Sequence, residues 1–185
     1  LPTAGGAATV TAVVGNAVQL GCTNPVSLGQ ALQRKIPLVI LATSAVWDTK
    51  NPSGFAVVAP DSSIKTAKDL NGMTIGVPSL GGLNQLVMTA LVAAHGGDVS
   101  SVKFVELPES LTADALAQKR IAAAFLDEPD YSAAGTRVRS IGAASDAIAP
   151  MFAETIWFST QDWASQNKDI ARRAIAALIA GGKWA

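Results

Sequence analysis

Lys68–Leu83 reads KDLNGMTIGVPSLGGL, and the order of elements in it sets the class of fold. Asn71-Gly72 leads into a short apolar strand, Met73–Val77, and Pro78 ends it before Ser79-Leu80-Gly81-Gly82 opens a helix. A strand that leaves through a glycine loop into a helix start is the building unit of α/β sheets, whose ligands gather outside the carboxyl ends of strands. The first N–H groups of a helix lack internal partners and carry the positive end of its dipole. Ser79–Leu83 is therefore a candidate seat for a small anion, the alternative being an ordinary strand-to-helix turn.

The rest of the chain repeats this alternation. Before the stretch come a helix over Ala7–Val14, a strand near Val18–Cys22, a helix from Pro25 to Lys35, an apolar strand Leu38–Ala42 and a further run Phe55–Ala59. After it, Leu83, Leu86, Val87, Ala90, Leu91 and Ala94 share one face of a helix that closes at Gly96-Gly97. Strands follow at Val102–Leu107 and Ile121–Leu126, then Val138–Ile141 and Ile156–Ser159, with Asp162–Ala185 mainly helical. AVVGNAVQLGCTNPVSLGQAL and ALAQKRIAAAFLDEPDYSAAG both run helix, turn, strand, polar residue, proline and helix, which points to two similar units. Nearly all-apolar Leu38–Ala42 reads as a parallel strand covered on both faces.

Composition removes several function classes. Fourteen basic and fourteen acidic side chains leave no net charge in 185 residues, so bulk electrostatics favours neither nucleic acid nor an anionic membrane. Aromatic residues make up only 5% of the chain, too few for a base-stacking surface. A single cysteine, Cys22, and a single histidine, His95, supply neither an internal disulfide nor a Cys/His metal site, and no cofactor is expected. Cys22 reads as a small hydrophobe in a strand, and His95 as the last turn of a helix facing its negative end. No apolar run approaches the ~18 residues of a membrane span. The amino end shows no signal sequence, and the chain reads as lacking a first strand and final helices.

GNAVQLGCTNPVSLGQALQRKIPLVILA, then PDSSIKTAKDLNGMTIGVPSLGG, then VKFVELPESLTADALAQKRIAAAFLDEPDYSAA resembles, over nearly the whole chain, the solute-binding proteins of nitrate/sulfonate/taurine-type ABC importers, a group that includes binders of thiamine-related pyrimidines. The resemblance rests on I-x-x-x-x-D-L-x-G, the strand after it and a late Glu-Pro taken together. It implies a type II periplasmic-binding fold: two lobes with mainly parallel sheets, joined by two hinge strands, closing on a small molecule. Residues 1–58 and 155–185 would form one lobe and 60–150 the other, with hinges near Phe55–Ala59 and Glu154–Ser159. The family's contact regions fall on Thr23 and Asn24, Val46 and Trp47, Ser79, Leu80, Gly81, Gly82 and Leu83, and Asp127 and Glu128. Each has a plainer reading: Asn24 as a helix cap, Trp47 as packing, Asp127 and Glu128 as solvated or paired charges.

The resemblance implies a monomeric receptor, periplasmic or extracellular on a lipid anchor, that delivers its ligand to a membrane permease. Acidic Asp127 and Glu128 favour an ammonium or N–H group and the helix start favours an acidic one, so a zwitterion such as taurine satisfies both. A neutral heteroaromatic stacked on Trp47 is the alternative ligand. No nucleophile with its base, metal set or paired acid and base stands out, which speaks against catalysis. The other two functions open at this point are an enzyme on the same fold, similar to thiamine-pyrimidine synthases, and the sensor domain of a LysR-type regulator. The first of these relatives uses a cysteine-rich segment and an active histidine, and the second an amino-terminal helix-turn-helix.

Overall fold

Asn24-Pro25 sets the start of the second helix by a physical device visible in the chain. The computed structural model describes residues 5–184, so Leu1 to Ala4 and Ala185, which the terminal readings include, lie outside the described residues. Helix α1, Gly6–Val14, leads to strand β1, Gly21–Thr23, and helix α2, Pro25–Gln33, follows at once. Asn24 Oδ1 accepts the Ser27 N–H at 2.9 Å while Pro25, whose missing N–H costs nothing in a first turn, fixes φ for helix entry. Strand β2, Leu38–Asp48, is longer than the apolar run suggested.

Two compact units result, one from the chain before Trp47 and after Phe152, the other Trp47–Phe152. In the latter, β3 is Gly54–Val58, β4 Thr74–Val77 and α3 Leu83–Ala94. Then come β5 Lys103–Glu106, α4 Thr112–Ala117, β6 Ala123–Asp127, α5 Asp130–Ala134 and β7 Arg139–Ala143. The sheet order is β5-β4-β6-β3-β7, with β4 parallel to β5 and β6, and β3 antiparallel to β6 and β7. It is thus a mixed sheet with a parallel half. Ile75, Val57 and Ala124 are fully buried, and a Val, Leu or Ile side chain so placed contributes about 1.5–3 kcal/mol relative to exposure.

The I-x-x-x-x-D-L-x-G motif has a structural account here. Asp69 Oδ2 accepts the N–H groups of Lys65 and Thr66, each at 2.9 Å, in a capping box at the 3₁₀ turn Ala67–Leu70. Those bonds favour the ionised form and hold the Asp69 carboxyl below its usual range. Ile64 and Leu70 are buried, and Gly72 takes φ +74°, which a side chain would disfavour, to turn the chain into β4.

Strand β8, Met151–Thr160, brings the chain back to the first unit, followed by α6, Gln161–Gln166, and α7, Lys168–Trp184. The sheet there runs β1-β8-β2, with β8 antiparallel to β1. The strands read near Val18–Cys22 and Ile121–Leu126 therefore belong to different sheets. Two expectations are corrected. The first crossing falls at Val46/Trp47 rather than near Phe55–Ala59, because Gly54–Val58 is hydrogen-bonded on both sides, to β6 and β7, inside the larger unit. Leu38–Ala42 lies in a strand at the edge of its sheet among the described residues, with Ile40 55% exposed, rather than covered on both faces.

Helix α3 buries Leu83, Val87, Met88, Leu91 and Val92 and exposes Leu86. A helix that is apolar nearly all round carries too weak a moment to choose its buried stripe from sequence. His95 caps α3, its ring Nδ1 2.9 Å from the Leu91 carbonyl, and Cys22 is half-buried.

Candidate functional site at the strand ends

Because β5, β4 and β6 are adjacent and parallel, their carboxyl ends emerge on one edge of the larger unit: Glu106 opposite Val77, and Asp127 beyond Gly76 and Ala124. The loop after β4 turns through Gly81 at φ +70° and reaches extended Gly82, the N-cap of α3. Two of its donors are already engaged. The Leu80 N–H donates to Glu106 Oε2 at 3.1 Å, and the Gly81 N–H to Gln85 Oε1 at 2.7 Å. Of the donors in the stretch expected to seat an anion, helix geometry leaves the first-turn amides of Gly82, Leu83 and Asn84 without an intrahelical carbonyl. Asn84 Nδ2 donates to Asp127 Oδ2 at 3.5 Å, tying the helix start to the end of β6. The Asp127 N–H donates to Glu109 Oε2 at 3.4 Å.

Burial pushes the Glu109 carboxyl up to about 7 from its ordinary 4.5, against the lowering effect of the Asp127 N–H, with neighbouring Asp130 adding to the rise. A carboxyl whose pKa is higher folded than unfolded binds its proton more tightly in the native state. Its stabilising effect is complete below pH ~4.5 and is lost as pH rises through about 7. Since Glu109 is partly solvated, the loss is discounted to on the order of 1 kcal/mol. Glu109→Gln, compared with the parent by urea unfolding between pH 4 and 8, should abolish this part of the slope. A parent-minus-variant difference that stays flat with pH would rule it out.

The sequence-predicted residues divide between the units. Ser79, Leu80, Gly81, Gly82 and Leu83 come together with Asp127 at the strand-end edge of the larger unit. Exposed Glu128 uses Oε2 to accept the Ser132 N–H at 3.2 Å, at the start of α5. In the other unit Thr23 is buried, with an Oγ1 that has no partner among the described residues, and Asn24 is occupied in capping α2. Val46 is 52% exposed. Trp47 is 0% exposed, so its ring presents no stacking face to a ligand. Sequence reasoning passed over Glu106, Glu109 and Asn84. The rule that selected Ser79 and Asp127, residues just past the carboxyl end of a parallel strand, also selects Glu106 and Glu109 in VELPES once β5 is known to be parallel.

The family model described as NMT1/THI5 like matches residues 1–185. The chain belongs to that family. No curated protein matches its sequence. Among solved structures, this NMT1/THI5-like chain is similar to the periplasmic aliphatic sulphonate-binding protein SsuA of Escherichia coli, at TM-score 0.78 and 19% identity over 96% of this chain and 60% of that one. It is also similar to the alkanesulfonate-binding SsuA of Xanthomonas axonopodis pv. citri bound to MOPS, at TM-score 0.81 and 17% identity over 96% and 60%. A third is the periplasmic sulfonate-binding protein SsuA of Methylobacillus flagellatus KT, at 0.67 and 20% over 94% and 52%. These likenesses establish the periplasmic-binding-protein fold. The NMT1/THI5-like chain spans about 60% of the length of the first two. No helix among the described residues is long and apolar enough to cross a membrane.

Proposed function

We propose that the protein is a solute-binding receptor that takes up a small zwitterion of the aminosulfonate type and delivers it, outside the cytoplasm, to an ABC importer. One observation carries the choice of ligand: the 3.5 Å contact from Asn84 to Asp127 sets the electropositive first turn of α3 beside a carboxylate. A bare anion at those amides would meet Asp127 and Glu106, whereas a molecule with an oxyanion at one end and an ammonium at the other complements both. The binding reading is supported further by the similar SsuA structures, which are sulfonate-binding proteins. Calorimetric titration with taurine, ethanesulfonate and ethylamine tests it. Taurine should bind at least tenfold more tightly than either one-ended analogue; ethanesulfonate binding as well as taurine would reject the zwitterion.

Gly82→Val isolates the role of the helix start. Gly82 has extended φ −94°, and an added Cβ would meet Ser79 O no closer than 3.5 Å, so the backbone there accepts a side chain without strain. Its branched side chain would crowd the approach to the first-turn amides, and taurine affinity should fall about tenfold or more with unfolding unchanged. Gly81→Val, at φ +70°, should lose about 1–2 kcal/mol of stability from backbone strain as well. If Gly82→Val binds taurine like the parent, the loop is only a turn.

A further inference from the structure

At the opposite edge of the larger unit's sheet, beside the amino ends of β4 and β6, lies a cavity of about 570 Å³, within the ~300–1,000 Å³ usual for small-molecule sites. Its floor is apolar, with Ile64, Leu116 and Ile121 all buried. Its mouth carries exposed Lys119 and Arg120, with Asp61 as the lining carboxylate. Two cations against one anion make this a locally basic cavity in a chain of zero net charge. Neither Lys119 nor Arg120 joins an ion pair among the described residues.

The walls are fixed by bonds that leave those side chains uncommitted. At the end of α4 the Lys119 N–H donates to Leu116 O and the Arg120 N–H to Ala115 O, each at 3.0 Å, the paired closure of a Schellman turn. Lys119 takes φ +55° there, a position where glycine is favoured. On the facing wall, Arg139 Nη2 donates to Ser62 O at 3.1 Å and Ile64 O at 2.8 Å, pinning the turn after β3.

We propose that this cavity binds a small organic oxyanion, a carboxylate or phosphate monoester with a compact apolar body, its charged end held by Lys119 and Arg120 and its body against Ile64, Leu116 and Ile121. A guanidinium fork and an ammonium side by side suit a planar or tetrahedral oxyanion. This site stands apart from the strand-end residues and does not depend on the taurine reading.

Amide NMR titration of the full chain with benzoate and phenyl phosphate is the test, with inorganic phosphate, benzyl alcohol and benzylamine as arms that remove the apolar body, the charge, or its sign. Benzoate or phenyl phosphate should give saturable shifts at Ser63, Lys119 and Arg120 with a Kd of about 1 mM or tighter. Lys119→Gln/Arg120→Gln, two exposed positions whose turn bonds are backbone only, should weaken that binding at least tenfold while leaving the unfolding midpoint in place. The absence of saturable shifts up to about 10 mM, or shifts unchanged in the double variant, would overturn the site. Benzylamine binding as well as benzoate would overturn the charge assignment. Equal binding of inorganic and phenyl phosphate would overturn the role given to the apolar floor.

Discussion

Trp47→Ala should lower the unfolding free energy by about 3–5 kcal/mol, a large part of the ~5–15 kcal/mol that holds a typical protein folded. Trp47 is the largest fully buried side chain among the described residues, so truncation removes its transfer free energy and leaves a void that the neighbouring backbone can close only in part. Its indole Nε1 has no hydrogen-bond partner among the described residues. Trp47→Phe removes that unpaired polar group along with some volume and should cost less than about half as much as alanine. Chemical denaturation of the three proteins, beside taurine titration, tests the packing role that burial gives Trp47 against the ligand contact expected from the sequence. A stability change within about 1 kcal/mol together with a collapse of affinity in Trp47→Ala would make it a ligand contact instead of a packing residue.

In the other unit, Phe158→Ala should cost a similar ~3–5 kcal/mol, and Gly21→Ala about 1–3 kcal/mol for the opposite reason. Phe158 is fully buried among Val10, Val13, Leu28, Ala31, Leu38 and Ile156. Gly21 stands directly across from it in the β1–β8 pair, where an added Cβ would lie 2.7 Å from Phe158 Cε1 and 2.8 Å from Val13 Cγ2. The ring fills the space that glycine leaves. The double variant should therefore lose less than the sum of the single losses, by about 1 kcal/mol or more, because the methyl group then enters a cavity instead of an aromatic edge. Strict additivity in urea unfolding would show that the two residues do not share this space.

Local signals carried the element boundaries. Asn24 before Pro25, the Asp69 cap within Thr66–Leu70, glycines at 72, 81 and 96, and Pro78 after an apolar strand all act within a few residues, so the chain states them outright. The helix-strand-proline echo likewise appears as α1–β1–α2 and α4–β6–α5. Family membership and fold followed from the same local order, because the order of elements limits the topologies available.

What packs on what was decided elsewhere. Gly54–Val58 looks like any apolar strand, and only its pairing with β6 and β7 puts it inside the larger unit and moves the first crossing to Val46/Trp47. Leu38–Ala42 looks buried because it is apolar, yet the covering of a strand's faces depends on what packs against them, and Ile40 remains 55% exposed. The same holds at the strand ends. Residue type and position selected Asp127 and the Gly81-Gly82 loop, but that Glu106 already takes the Leu80 N–H, and that Asn84 reaches Asp127, are contacts across 26 and 43 residues of chain. Hydrogen bonds at such separations exist only once parallel pairing of β5, β4 and β6 has brought their carboxyl ends to one edge. The sequence by itself determined the alternation of elements and their caps; the sheet register determined which side chains meet.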